Sequence, residues 1–134
     1  MTGEAVVQNL LELPIDYTVA DGTVIEKGTW CKLTDPQTAS ANDTLGAACA
    51  GILYEEKIAS DGRTRAPLLK RGRVKALLSG SATAGDMLMM EGNDNQLIVA
   101  NTSGNHVVAI AEETGTDGET IFVYFDTALG VIRY

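Results

Sequence analysis

The sequence Cys49-Ala50-Gly51-Ile52-Leu53-Tyr54-Glu55-Glu56 is a short apolar run that ends in two glutamates. The sequence Val107-Val108-Ala109-Ile110-Ala111-Glu112-Glu113 repeats this pattern later in the chain. An apolar run of this length between polar residues is typical of a β-strand. Adjacent glutamates point to opposite faces of an extended chain, so they mark where a strand emerges into water rather than an acid and base that work together.

The two runs belong to a longer internal repeat. Its other matching pairs are Gly28 with Gly85, Asp61-Gly62 with Asp117-Gly118, and Gly72-Arg73-Val74 with Gly130-Val131-Ile132. All offsets lie between 56 and 58 residues. A nearly constant offset predicts two similar β units, at about 20–76 and 77–134, within a single β domain over 15–134. Residues 1–14 lie outside the repeat as an N-terminal arm. The alternative is chance similarity between glycine-rich β segments.

Glycine placement favours an all-β fold. Fourteen glycines separate short apolar stretches, and long amphipathic helical patterns are missing. We predict a compact barrel or sandwich built from the two similar β units, with an extended N-terminal arm. The predicted strands are Ala5–Leu11, Thr29–Leu33, Cys49–Glu55, Arg65–Leu69, Arg73–Leu78, Asp86–Met90, Gln96–Ala100, His106–Glu112 and Glu119–Phe125.

The run Thr120–Phe125 is the predicted centre of the core. Both of its faces carry apolar side chains, which is typical of a strand covered on both sides. Segments rich in Asp, Asn and Gly separate several strands, and these residues tolerate the backbone angles of tight turns. The turn segments are Ala20-Asp21-Gly22, Ser60-Asp61-Gly62, Gly92-Asn93-Asp94-Asn95, Ser103-Gly104-Asn105 and Thr116-Asp117-Gly118.

The composition excludes several classes of partner. The net charge is −8, whereas binding to nucleic acid depends on many contacts from Lys and Arg. No apolar run approaches the ~20 residues of a membrane span, and Met1-Thr2-Gly3-Glu4 lacks the basic start of a secretion signal. We therefore expect a protein made in a cytoplasm, with no nucleic-acid or membrane partner. Cys31 and Cys49 lie in no CxxC motif, and we expect both to be small buried hydrophobes.

Reactive side chains do not cluster in the sequence. His106 is the single histidine, and beside Val107 and Val108 it has no local partner for a nucleophile or a metal. The acidic loop at 91–95 lacks the spaced carboxylates of a calcium loop. Nucleotide-binding glycine motifs and the GxSxG elbow are missing. We expect no catalytic residue, no metal and no cofactor, and hence no enzyme.

One segment of this acidic chain is basic. Residues 63–75 hold six of the ten basic residues. On a strand, Arg71, Arg73 and Lys75 would share one face and form a positive stripe. The stripe is either a solvated strand whose charges prevent edge-to-edge aggregation, or a docking face for an acidic partner surface or a neighbouring copy.

The N-terminal arm is apolar for a chain terminus. Val7, Leu10, Leu11 and Leu13 precede Pro14, which cannot donate a ladder hydrogen bond. The arm could add a strand to its own sheet or pair with a neighbouring protein by β-augmentation. Both possibilities remain open from the residues alone.

The order of these motifs resembles that of the small phage head decoration proteins. The arm is followed by Ala50-Gly51-Ile52-Leu53, an Asp-Gly turn, Gly72-Arg73-Val74, Ala84-Gly85-Asp86 and Val108-Ala109-Ile110-Ala111. More narrowly, most of residues 17–126 look like the cement family long known only as a domain of unknown function. The resemblance implies a compact β protein that forms homotrimers on the capsid exterior, where it bridges subunits of the major capsid protein. It brings no catalytic residue.

The leading functional hypothesis is a structural virion protein that binds an icosahedral phage capsid as an oligomer and stabilises the shell. The arm and the stripe are the expected contact elements, one for the shell and one for the neighbouring protomer. Another virion β module, from a tail tube or fibre, is the main alternative. A biotinyl or lipoyl carrier is a third, since Ala84–Glu91 resembles the Gly-Asp strand and methionine-flanked turn of carriers. However, the tip at 93–95 has no lysine to take the prosthetic group.

Overall fold

The computed structural model describes residues 3–10, 13–92, 94–101 and 103–131. Their regular structure consists of β-strands, as predicted. The strands are β1 (Val6–Leu10), β2 (Ile15–Thr18), β3 (Trp30–Asp35), β4 (Thr38–Ala41), β5 (Cys49–Leu53), β6 (Arg65–Leu69), β7 (Arg71–Leu77), β8 (Met87–Met90), β9 (Leu97–Val99), β10 (Ala109–Ala111) and β11 (Thr120–Asp126).

The strands form a closed barrel and a six-stranded sheet. The barrel has the order β2-β4-β3-β5-β6, and the sheet has the order β1-β7-β11-β10-β8-β9. Five strands of the sheet, read as β9-β8-β10-β11-β7, repeat the order β4-β3-β5-β6-β2 of the barrel. A parallel pair between Thr18 and Thr38 closes the barrel, and an isolated parallel bridge between Leu78 and Leu97 lies at the matching place in the sheet.

The strand order divides the chain between β6 and β7, at Lys70, whereas the sequence offsets placed the division near residue 76. The difference arises because β7 pairs with β1 and β11 in the six-stranded sheet. Gly72 lies in β7, whereas the matching segment at Gly130 contributes, in the part of the chain that the structure describes, an isolated bridge between Val131 and His106.

The main core lies where the barrel and the sheet meet. Trp30, Ile52 and Leu69 of the barrel pack in one buried cluster with Val74 and Phe125 of the sheet. The rings of Trp30 and Phe125 meet edge to face, with centroids 5.0 Å apart. A second cluster fills the barrel and includes Cys31, Ala50 and Leu68. Both cysteines are free and buried, as predicted.

Two strands were not predicted, and one was assigned the wrong environment. β2 and β4 carry few large apolar side chains, so no alternating pattern marks them. The prediction that β11 is covered on both sides is wrong, because its burial alternates: Ile121, Val123 and Phe125 are buried, whereas Phe122 and Tyr124 are half-buried. The outer face of β11 is therefore available for contacts.

Candidate protein-interaction surface

The predicted basic stripe lies on the outer face of β7. Burial alternates along this strand, with Gly72, Val74 and Ala76 buried and the three basic residues between them exposed or half-buried. A strand with one face in the core must place intervening residues on the other face. Arg71, Arg73 and Lys75 therefore share one face.

Neighbouring strands extend this face into two cross-strand rows. The first row consists of Val6, Lys75 and Phe122. The second row consists of Asn9, Arg73, Tyr124, Ile110 and Met87. Val6, at the β1 end of the first row, is 50% exposed, and Met87, at the β8 end of the second row, is 47% exposed. Each row therefore exposes an apolar side chain at one end. We call these two rows, together with Arg71, the outer sheet face.

Charges within the outer sheet face are largely paired. Arg73 Nε donates to Glu112 Oε1 at 2.8 Å, and Arg71 Nε lies 3.9 Å from Asp126 Oδ2. The Lys75 ammonium lies 4.9 Å from the centroid of the Phe122 ring, and the Arg73 guanidinium lies 5.2 Å from it. Within the described part of the chain, no carboxylate lies within 4 Å of Lys75. Lys75 is thus the cation of the stripe that is free for an acidic partner group.

The structure separates the arm residues that the sequence grouped together. Val7 is half-buried: it pairs with Val74 and packs against the main core. The backbone of Leu10 pairs with Gly72, and Leu11 lies outside the described residues. Leu13 is 82% exposed. The arm therefore adds β1 to its own sheet and presents Leu13 to solvent.

A cleft of about 840 Å³ runs beside the free edge of β1. Residues 4–9 form one wall, and Lys27, Gly28 and the segment Leu53–Glu55 form the other. The wall of residues 4–9 includes an unpaired strand edge, since β1 is the outermost strand of the sheet.

A buried lysine is the charged feature that the sequence did not reveal. Lys57 is fully buried, and its Nζ donates to Asp61 Oδ1 at 2.7 Å, to Asp21 Oδ1 at 2.9 Å and to the backbone oxygens of Asp21 and Ile58. Burial on its own lowers the pKa of the ammonium, but the hydrogen bonds with Asp61 and Asp21 raise it above its ordinary value. The two carboxylates, Asp21 and Asp61, lie in predicted turns, but the sequence around Lys57 gave no sign that a lysine would be buried between them.

The two cysteines are buried, and the single histidine is half-buried. Burial raises the pKa of the thiols of Cys31 and Cys49 to about 12, so both are protonated and inert as nucleophiles at neutral pH. Nδ1 of His106 lies 3.3 Å from the backbone oxygen of Gly46. In residues 3–10, 13–92, 94–101 and 103–131, no three His, Cys, Asp or Glu side chains are placed to hold a metal ion. The same residues contain no helix with the length and apolarity of a membrane crossing.

These features define an all-β protein of two sheets, whose outer sheet face combines aromatic, aliphatic and cationic side chains as protein-contact surfaces do. Comparison with protein-family models gives no match, and no curated protein matches the sequence. A solved structure does match: the N base of the head fiber protein gp8.5 of bacteriophage phi29. The likeness covers 90% of this chain and 98% of that one, with a TM-score of 0.58 and 10% sequence identity. The two chains therefore share a fold.

Proposed function

We propose that this chain is a structural protein of a bacteriophage virion, which binds the outer surface of an icosahedral capsid as a homotrimer and stabilises the shell. The observation that supports the proposal most is the fold shared with a phage head fiber base over nearly the whole of both chains. The outer sheet face adds a surface of the composition found at protein interfaces. The proposed partners are the major capsid protein and other copies of this chain.

Stabilisation of a shell requires only binding. A protein that binds the assembled capsid and not its free subunits shifts the equilibrium toward the assembled state. A trimer that engages three sites gains avidity on the order of 10²-fold or more over a single contact. A protein with this role needs exposed contact groups on a rigid scaffold and no catalytic centre.

We assign the two contact elements to different partners. The shell contact is the arm, through Leu13, because this apolar side chain is 82% exposed next to Pro14. The contact with a neighbouring protomer is the outer sheet face, through Lys75 and Phe122. Burial of Leu13 against a capsid subunit would remove an exposed apolar side chain from water.

The proposal is tested by mixing the purified protein with undecorated heads of the encoding virus and imaging them by cryo-microscopy. We expect extra density at symmetric sites on the outer surface. Leu13→Asp should abolish binding and leave the oligomeric state unchanged. Leu45→Asp is the matched control, because Leu45 is also exposed, at 50%, and lies outside both contact elements. Wild-type protein that leaves heads bare would overturn the proposal.

A second candidate is the base of a longer fibre, which the structural comparison favours because the matching protein is a head fiber base. In that role the chain would attach a further protein to the virion instead of covering its surface. Separation of virions into heads, tails and fibres, followed by detection of this chain with an antibody, distinguishes the roles. Many copies on every head support a decoration protein, and a few copies that sediment with fibres support a base.

A further inference from the structure

Two loops at one end of the barrel, one between β2 and β3 and one between β5 and β6, are bonded to each other. We call residues 21–24 and 58–61 the barrel tip. Its two loops are joined by the antiparallel bridge between Ile25 and Lys57 and by a hydrogen bond from Ser60 N to Asp21 O at 2.7 Å. The buried ammonium of Lys57 also bonds to both loops. The tip is therefore held in one conformation before any partner arrives, which lowers the entropic cost of binding.

The barrel tip exposes apolar side chains that its counterpart in the sheet lacks. Val24 is 55% exposed and Ile58 is 62% exposed, and they flank the bridge between Ile25 and Lys57. The corresponding bridge in the second unit joins Ala82 and Gly115, and its flanking positions hold Ser81 and Thr116, both exposed. The same backbone position is thus polar in one unit and apolar in the other. The fold does not require an apolar residue there, which points to a contact made by the first unit alone.

An exposed acidic residue lies just before the second loop of the tip. Glu56 is exposed and precedes the buried Lys57, so it points outward together with Ile58. The outer sheet face offers the complement. Lys75 has no carboxylate within 4 Å among the described residues, and beside it lie the half-buried Phe122 ring and the exposed Val6.

We infer that the barrel tip of one copy docks on the outer sheet face of another copy, with Val24 and Ile58 against Phe122 and with Glu56 beside Lys75. This inference rests on the proposed function, because it names the interface that forms the oligomer. The two surfaces differ, so the contact is heterologous, and successive copies close a ring when the rotation between them allows it. A rotation of one third of a turn gives the homotrimer.

Charge reversal tests the pairing. Light scattering after size exclusion should show a trimer for wild type, and dissociation at least 10-fold stronger for Lys75→Glu and for Glu56→Lys. The double variant Lys75→Glu/Glu56→Lys should recover the trimer, because the opposite charges again face each other. Lys27→Glu is the matched control, since Lys27 is exposed in the cleft outside both surfaces, and it should remain trimeric.

The repeat supplies a second test that preserves folding. Val24→Ser/Ile58→Thr gives the tip the residues that the second unit holds at the same positions, and it should dissociate the trimer with an unchanged circular dichroism spectrum. The inference is overturned if wild type is monomeric at high concentration, if the single variants remain trimeric, or if the double charge swap does not recover the trimer. A trimer insensitive to these changes that still decorates heads would leave the proposed function standing, whereas a charge-sensitive trimer that leaves heads bare would overturn the proposed function alone.

Discussion

Asn95 accepts a hydrogen bond at its side-chain Oδ1 from the backbone N–H of Trp30, at 2.8 Å. Its Nδ2 donates to the backbone oxygens of Gly3 at 2.9 Å and Gly28 at 3.0 Å. One amide therefore joins the turn before β9 to the start of β3 and to the N-terminal segment. All three bonds are to backbone groups, so the side-chain amide satisfies backbone donors and acceptors of two separate segments.

Loss of this amide should weaken the junction between the two units. Asn95→Ala is expected to lower the free energy of unfolding by about 1–3 kcal/mol for each buried backbone group left without a partner. Urea denaturation followed by Trp30 fluorescence measures the change. Gln8→Ala is the control, because the amide of Gln8 is exposed and donates to the nearby backbone oxygen of Val6 at 3.4 Å. Equal midpoints for the two variants would contradict the assigned role.

The two phenylalanines of β11 should differ sharply in their effect on stability. Phe125 is fully buried against Trp30, so Phe125→Ala is expected to lower the free energy of unfolding by about 3–5 kcal/mol. Phe122 lies on the opposite, half-exposed face, and Phe122→Ala should cost about 1 kcal/mol or less. Phe122→Ala should instead weaken self-association, which sedimentation of the folded variant measures. Similar losses of stability would show that the faces of β11 are wrongly assigned.

The fold could be predicted where apolar residues alternate along the chain. β7 and β11 combine such alternation with β-branched and aromatic side chains, which favour strands. β4 has the sequence Thr38-Ala39-Ser40-Ala41, in which only Ala39 is buried. This strand forms because it pairs with β2 on one side and β3 on the other to close the barrel, and both partners lie elsewhere in the sequence. A local pattern cannot contain this information.

The candidate surface was predictable only in part, for the same reason. Alternation places Arg71, Arg73 and Lys75 on one face, but the acidic partners of the first two come from Asp126 and Glu112 on other segments. The sequence therefore overstated the positive charge of the stripe. The internal repeat did not predict the burial of Lys57 either. The matching position in the second unit is Gly115, where Leu78 and Ile121 fill the space. Two equivalent backbone positions are therefore packed by unrelated side chains.

Gly72 should control the attachment of the N-terminal strand. A Cβ at this position would lie 2.4 Å from the backbone oxygen of Asn9, which is a steric clash. The clash involves backbone, so it can be relieved only if β1 moves away from β7. Gly72→Ala is expected to separate β1 from β7 and leave the rest of the sheet folded. Hydrogen exchange should show at least 10-fold faster exchange in residues 6–10 and little change in β11.

Gly22→Ala is the matched control for that experiment. A Cβ at Gly22 would meet no heavy atom within 4 Å, and the residue does not have a positive φ. The control should exchange like wild type. Unchanged protection of residues 6–10 in Gly72→Ala would contradict the close approach of β1 to β7.

The pair between Lys57 and Asp61 makes stability depend on pH in a defined range. The hydrogen bond from the Lys57 ammonium, with a further one from the N–H of Arg63, lowers the pKa of Asp61 from 3.8 to about 2. A carboxyl group whose pKa is lower in the folded protein stabilises that state when it is ionised. This contribution is complete above about pH 4 and is lost as the pH falls through about 2.

Asp61→Asn removes this titration and should therefore flatten the acid limb of the stability curve. The variant is expected to be less stable than wild type at pH 7, because the buried ammonium loses one of its two carboxylates. Its melting temperature should then fall less than that of wild type between pH 4 and pH 2, because no proton is taken up at this position on unfolding. Asp35→Asn is the control for loss of a surface carboxylate, since Asp35 is exposed at the end of β3. Thermal melts followed by circular dichroism at these pH values provide the comparison. Parallel curves for Asp61→Asn and wild type would show that Asp61 is not ionised against Lys57 in the folded protein, and the barrel tip would then lack the clamp that holds its loops together.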